Sequence, residues 1–70
     1  MKLSRETRDM LQIGDKLLTG GQEYIVTNKW ISGRFNQGIS ITVADKYNRH
    51  IYGDPLSNWY GSEIVKGDRK

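Results

Sequence analysis

Seventy residues without a cysteine allow one small domain that must be stabilised by its apolar core alone, because disulfide staples and thiolate metal sites are both excluded. No apolar run approaches the roughly 18 residues of a spanning helix, and none follows the first basic residues as in a signal peptide, so a cytoplasmic chain with no membrane partner is expected. Eleven basic residues against eight acidic ones leave a net charge of +3, which points towards an anionic partner more than an acidic or neutral balance would.

Residues 1–12 read as a short helix or an ordered arm. Ser4 is a capping residue type, and Leu3, Thr7, Met10 and Leu11 fall at helical spacing. The polar run from Arg5 to Asp9 predicts weak packing, and Thr7 stands where a capping box needs Glu or Gln. Ile13-Gly14-Asp15-Lys16-Leu17-Leu18 reads as a bend entering a first strand. Gly20-Gly21 between two apolar runs signals a hairpin whose central positions call for positive φ. A phosphate cradle is excluded there, since no Lys-Ser or Lys-Thr follows and no helical pattern begins.

Glu23 to Ile31 is the longest predicted strand. Strict alternation puts Tyr24, Val26, Asn28 and Trp30 on one face and Ile25, Thr27, Lys29 and Ile31 on the other. The loop from Ser32 to Gly38 is rich in glycine and amides, and its Phe35 is read as a plug over the end of the fold or as a contact residue. The clearest signal in the chain follows. Ile39, Ile41 and Val43 alternate with Ser40, Thr42 and Ala44, so three β-branched side chains share one face. Asp45 and Asn48 bracket a turn, and His50-Ile51-Tyr52 returns with Ile51 inward and His50 and Tyr52 outward. Pro55 and Gly61 frame a single helical or 3-10 turn with Leu56 and Trp59 on one side. Residues 62–66 form a last strand and 67–70 a frayed tail.

The fold class expected is mostly β: a small five-stranded antiparallel barrel or strongly bent sheet over residues 13–66, in a single domain spanning 1–70. In this pattern the chain resembles the SH3-like small barrels. The resemblance is carried by Ile13-Gly14-Asp15 leading into the first strand, by the long mid-chain strands, and by the Pro55–Gly61 turn before Glu63-Ile64-Val65. It implies an architecture. The Ala-Leu-Tyr-Asp-Tyr run and paired aromatics of proline-binding SH3 domains are absent, so it does not imply a proline-rich ligand.

Catalytic chemistry finds little support. His50 is the only histidine, with no Cys and no carboxylate at ligand spacing beside it, so it reads as an exposed strand residue. Asp45, Asp54 and Glu63 are scattered, and a chain this small has little volume for a water-excluding pocket. The expectation is a binding protein that is not an enzyme and has no cofactor, no metal and no small-molecule substrate.

Two partners fit. The whole charge excess lies in residues 29–53, where Lys29, Arg34, Lys46 and Arg49 face only Asp45. Cations and aromatics interleave there, as Lys29-Trp30, Arg34-Phe35, Lys46-Tyr47, Arg49-His50 and then Tyr52, a mixture suited to phosphates and bases of RNA or DNA. The blander reading is that Trp30 and Phe35 fill the core and the cations keep the surface soluble. The other partner is a larger protein. Trp30, Phe35, Tyr47, Tyr52, Trp59 and Tyr60 exceed what so small a core needs, and aromatics dominate interface hot spots. By analogy with phage and mobile-element products of this size, that partner would be a host enzyme whose activity is modulated. The contact residues selected are Lys29, Arg34, Phe35, Lys46, Tyr47, Arg49, His50 and Tyr52.

Overall fold

A computed structural model describes residues 1–32 and 38–67 of the chain. Five antiparallel strands form one open sheet: β1 (Lys16–Thr19), β2 (Gln22–Ser32), β3 (Gly38–Asp45), β4 (His50–Pro55) and β5 (Glu63–Val65), in spatial order β4-β3-β2-β1-β5. Two 3-10 turns complete the fold, Arg8–Met10 before β1 and Leu56–Trp59 between β4 and β5. No helix among the described residues is long and apolar enough to cross a membrane.

The β1–β2 turn uses the conformational freedom of its glycines. Gly20 and Gly21 sit at φ +55° and +77°, where a Cβ is strained, and Thr19 pairs with Gln22 across them. The β3–β4 turn is closed by Asn48 at φ +61°, the left-handed geometry that asparagine tolerates. The predicted inward face of β3 is core: Ile41 and Val43 are fully buried and Ile39 packs against them.

The remaining core comes from all over the chain. Leu17, Val26 and Ile64 enter from strands, Leu56 and Trp59 from the second 3-10 turn, and Leu3 and Leu11 from the N-terminal segment. Tyr24 meets Trp59 edge to face, with ring centroids 5.0 Å apart. Burying a leucine contributes about 1.5–3 kcal/mol, so Leu3 and Leu11 make residues 1–12 a structural part of so small a domain.

Of the two readings of that segment, a short helix or an ordered arm, the structure has the arm, and it corrects the expectation of weak packing. Met10, assigned to an apolar helical stripe, is half exposed, while Leu3 is fully buried and anchored by its backbone. Its amide donates to the Ser62 carbonyl and its carbonyl accepts from the Gly61 amide, both at 2.7 Å. Lys2 bridges to Glu63, so the arm covers the outer edge of β5. Ser4 caps no helix; its backbone amide donates to Thr7 Oγ1 at 2.8 Å and shapes a turn. The first turn has only three residues, because the polar run from Arg5 to Asp9 offers no apolar stripe to bury as a longer helix.

A second correction concerns β2. Thr27 is an extra residue between Val26, opposite Val43, and Asn28, opposite Thr42. Its hydroxyl donates to the Thr42 carbonyl at 3.1 Å. Such a bulge resets the alternation. Tyr24 and Val26 face the core, whereas Asn28 and Trp30 lie on the outer face, and Lys29 and Ile31 fall on the side of Ile41 and Ile39, with Ile31 still exposed at the end of the sheet. A matching irregularity sits in β4, where Tyr52 and Gly53 together oppose Thr42. Gly53 adopts φ +63° and donates its amide to Thr42 Oγ1 at 3.2 Å.

Candidate functional site

The outer face of the sheet follows from the register. Val65, Lys16, Ile25, Ala44 and His50 form one row across all five strands. Further along lie Asn28 opposite Thr42, and then Trp30, Ser40 and Pro55. The floor is made of the small β3 residues Ser40, Thr42 and Ala44, buried between larger neighbours on β2 and β4. Trp30 reaches across this floor: a Cβ on Gly53 would stand 3.6 Å from its indole. On the β4 side His50 and Tyr52, two residues apart and therefore on one face, stack at 5.4 Å with their planes 16° apart.

The turn at the end of this hairpin is built on Asp45. One carboxylate oxygen accepts the amides of Tyr47 and Arg49, each at 2.9 Å, and the other accepts Arg49 Nε at 3.0 Å. The Arg49 amide, opposed by slight desolvation and helped by the Tyr47 amide and the Arg49 guanidinium, holds the Asp45 carboxyl below its ordinary value. The carboxylate therefore stays charged and the turn stays shaped. Tyr47 projects from it, with Lys46 Nζ and Arg49 Cζ each 5.1 Å from its ring centroid. Among the described residues Tyr52 and Tyr47 are the most exposed aromatics, at 77% and 65%, and Trp30 keeps 38% of its surface in solvent.

Of the residues selected from sequence, Lys46, Tyr47, Arg49, His50 and Tyr52 come together on the β3–β4 hairpin. Lys29 lies elsewhere. Its ammonium donates to the carbonyls of Arg8 at 3.2 Å and Leu11 at 2.6 Å, so it ties the first 3-10 turn to β2. Arg34 and Phe35 fall outside the described residues. Sequence reasoning did not select Trp30 or Ile25 for the contact set; Trp30 reaches the outer face only through the Thr27 bulge, which strand alternation does not reveal.

Two recesses open where this face meets the N-terminal turn. One, of about 170 Å³, is lined by Arg8, Ile39, Ser40, Pro55, Ser57 and Tyr60, among others. The second, of about 240 Å³, lies on the other side of Ile39 and is lined by Asp9, Lys29, Trp30 and Ile31. Among the described residues no cluster of His, Asp or Glu is arranged to hold a metal ion. Neither protein-family models, nor curated proteins, nor solved structures provide a match to this chain.

Proposed function

We propose that the chain is a small non-enzymatic protein that binds single-stranded RNA or DNA across the outer face of its sheet and the tip of the β3–β4 hairpin. The carrying observation is one continuous surface that pairs exposed rings with cations. Tyr47 with Lys46 and Arg49 stands at the tip, the His50–Tyr52 pair follows along β4, and Trp30 lies across the floor. Bases stack on open aromatic faces without regard to sequence, and Lys or Arg beside them neutralise phosphate. Lys46 has no carboxylate partner among the described residues, while Arg49 is shared with Asp45, so Lys46 is the freer phosphate contact. Short antiparallel strands, bent by two bulges and followed by a 3-10 turn before the last strand, support an SH3-like small-barrel architecture beneath this surface.

The test is fluorescence anisotropy with labelled 12-mer single strands of DNA and RNA over a salt series. Binding should weaken steeply with salt. Tyr52→Ala and Tyr47→Ala should each reduce affinity about 5- to 150-fold, the range for losing one stacked base, without lowering Tm. Absence of binding to single- or double-stranded DNA or RNA at low salt would refute the reading.

A second reading rests on a different part of the same face. Leu18, Ile25 and Val65 expose 37%, 41% and 39% of their surface on β1, β2 and β5, away from the hairpin cations. Exposed apolar side chains of this kind, interspersed with Lys16 and Glu23, suit a protein partner, including a host enzyme bound by a phage-type product. Recovery of a stoichiometric protein from host lysate, lost on Ile25→Lys and kept on Tyr52→Ala, would favour it.

A further inference from the structure

We infer that the recess beside Arg8 is a phosphate subsite at the far end of the same surface, an inference that rests on the nucleic-acid reading above. Arg8 is half-buried, and its backbone is fixed: its carbonyl accepts from the Leu11 amide at 3.3 Å and from the Lys29 ammonium at 3.2 Å. Its guanidinium, by contrast, forms no hydrogen bond or ion pair among the described residues. Arginine carries five donors in a planar fork that matches an oxyanion, so a positioned and unspent guanidinium in a recess is a ready phosphate partner. Ser57 and Tyr60, both hydroxyl-bearing, line the same recess, while Ile39, Pro55 and Leu56 form its apolar walls.

Size and position define what enters. About 170 Å³ is below the roughly 300–1,000 Å³ that holds a whole small ligand, so the recess takes one group of a molecule that lies mostly elsewhere. Ser40 and Pro55 line it and also belong to the outer-face row that begins at Trp30. A strand that stacks on Tyr47, Tyr52 and Trp30 therefore arrives at this opening. The neighbouring recess on the other side of Ile39 has the Asp9 carboxylate on its border, and the Lys29 ammonium there already donates to the Arg8 and Leu11 carbonyls, which leaves the Arg8 side as the anionic position.

The test again uses the full chain with labelled 12-mer single strands. Arg8→Gln should weaken binding several-fold for every sequence and reduce the slope of log affinity against log salt by about 0.7, the loss of one phosphate contact to a single strand. Arg8→Lys, which keeps the charge and loses the fork, should keep the slope and lose part of the affinity. Tyr60→Phe reads the hydroxyl contribution even if Arg8→Gln disturbs the N-terminal turn, and Tm for each variant separates folding from binding. If Arg8→Gln leaves affinity and slope unchanged while Tyr52→Ala still weakens binding, the subsite is overturned and the nucleic-acid reading survives. If the parent protein binds no oligonucleotide, both fall together.

Discussion

Two aspartates in this protein do the same chemistry for opposite ends. Asp15 and Asp45 each accept backbone amides from two described residues together with a cationic side chain. Asp45 does so locally: its partners, Tyr47 and Arg49, are two and four residues away, and the assembly shapes a single solvent-exposed turn. Asp15 is completely buried and gathers distant chain. It accepts the Gln12 amide at 2.9 Å, the Gly67 amide at 3.1 Å and the Lys66 ammonium at 3.0 Å. Lys66 also donates to the Met10 carbonyl. Gly67, read from sequence as the start of a frayed tail, is packed so closely that a Cβ there would stand 2.0 Å from the Gly14 carbonyl oxygen. Residues 68–70 of that tail lie outside the described residues.

The comparison separates a device that shapes one turn from a device that ties the fold together. A local carboxylate-centred turn presents Tyr47 and its cations without committing the rest of the fold. The buried one joins the N-terminal arm, the entry to β1 and the exit of β5, so its loss must be felt everywhere. Burial would push the Asp15 carboxyl up, but the Gln12 and Gly67 amides and the Lys66 ammonium outweigh it and leave it below its ordinary value.

The largest expected effect is therefore on stability at Asp15. Asp15→Ala removes two amide bonds and a half-buried ion pair, at a cost of about 3 kcal/mol. A chain this size has roughly 4–10 kcal/mol in total, so Tm should fall by roughly 10–20 °C. A variant that melts within a few degrees of the parent would remove Asp15 from its structural role.

Acid should discriminate the two sites next. Both carboxyls have folded pKa values below the ordinary 3.8. The unfolded chain therefore takes up their protons first as pH falls. The stability they contribute is fully present above that ordinary value and is lost as pH drops through the lowered folded values. Chemical denaturation between pH 5 and pH 2 should show this loss in the parent protein and a shallower one in Asp15→Asn. In high salt the exposed Asp45 contribution should shrink while the buried Asp15 contribution persists.

The smallest change in stability is expected at Asp45 itself. Asp45→Ala should lower Tm by a few degrees at most, yet speed hydrogen exchange at the Tyr47 and Arg49 amides, because only the local turn loosens. Equal losses of Tm at Asp15 and Asp45 would abolish the distinction drawn between them.

Strand alternation and turn chemistry, both local, made part of the candidate site visible in sequence. The outward pair His50 and Tyr52, and the turn residues that carry Lys46, Tyr47 and Arg49, follow from the pattern around Asp45 and Asn48. Trp30 was named among the aromatics, but its face was hidden because one inserted residue, Thr27, reverses the face of everything after it. Lys29 shows the converse. Its charge was legible, but its use was not, since its partners Arg8 and Leu11 lie 21 and 18 residues away.

By itself the sequence determined the mostly-β character, the inward face Ile39-Ile41-Val43, and the turns at Gly20-Gly21, Asp45–Asn48 and Pro55–Gly61. Each is a matter of near neighbours along the chain: side-chain alternation, a φ that only certain residues tolerate, or a carboxylate within reach of the next amides. Only the tertiary structure decided that Leu3 and Leu11 are core, that Trp30 is surface, that Asp15 binds Lys66 and Gly67, and that Arg8 lines a recess. Those outcomes depend on register and on pairs far apart in sequence, where burial and hydrogen-bond satisfaction outweigh local preference.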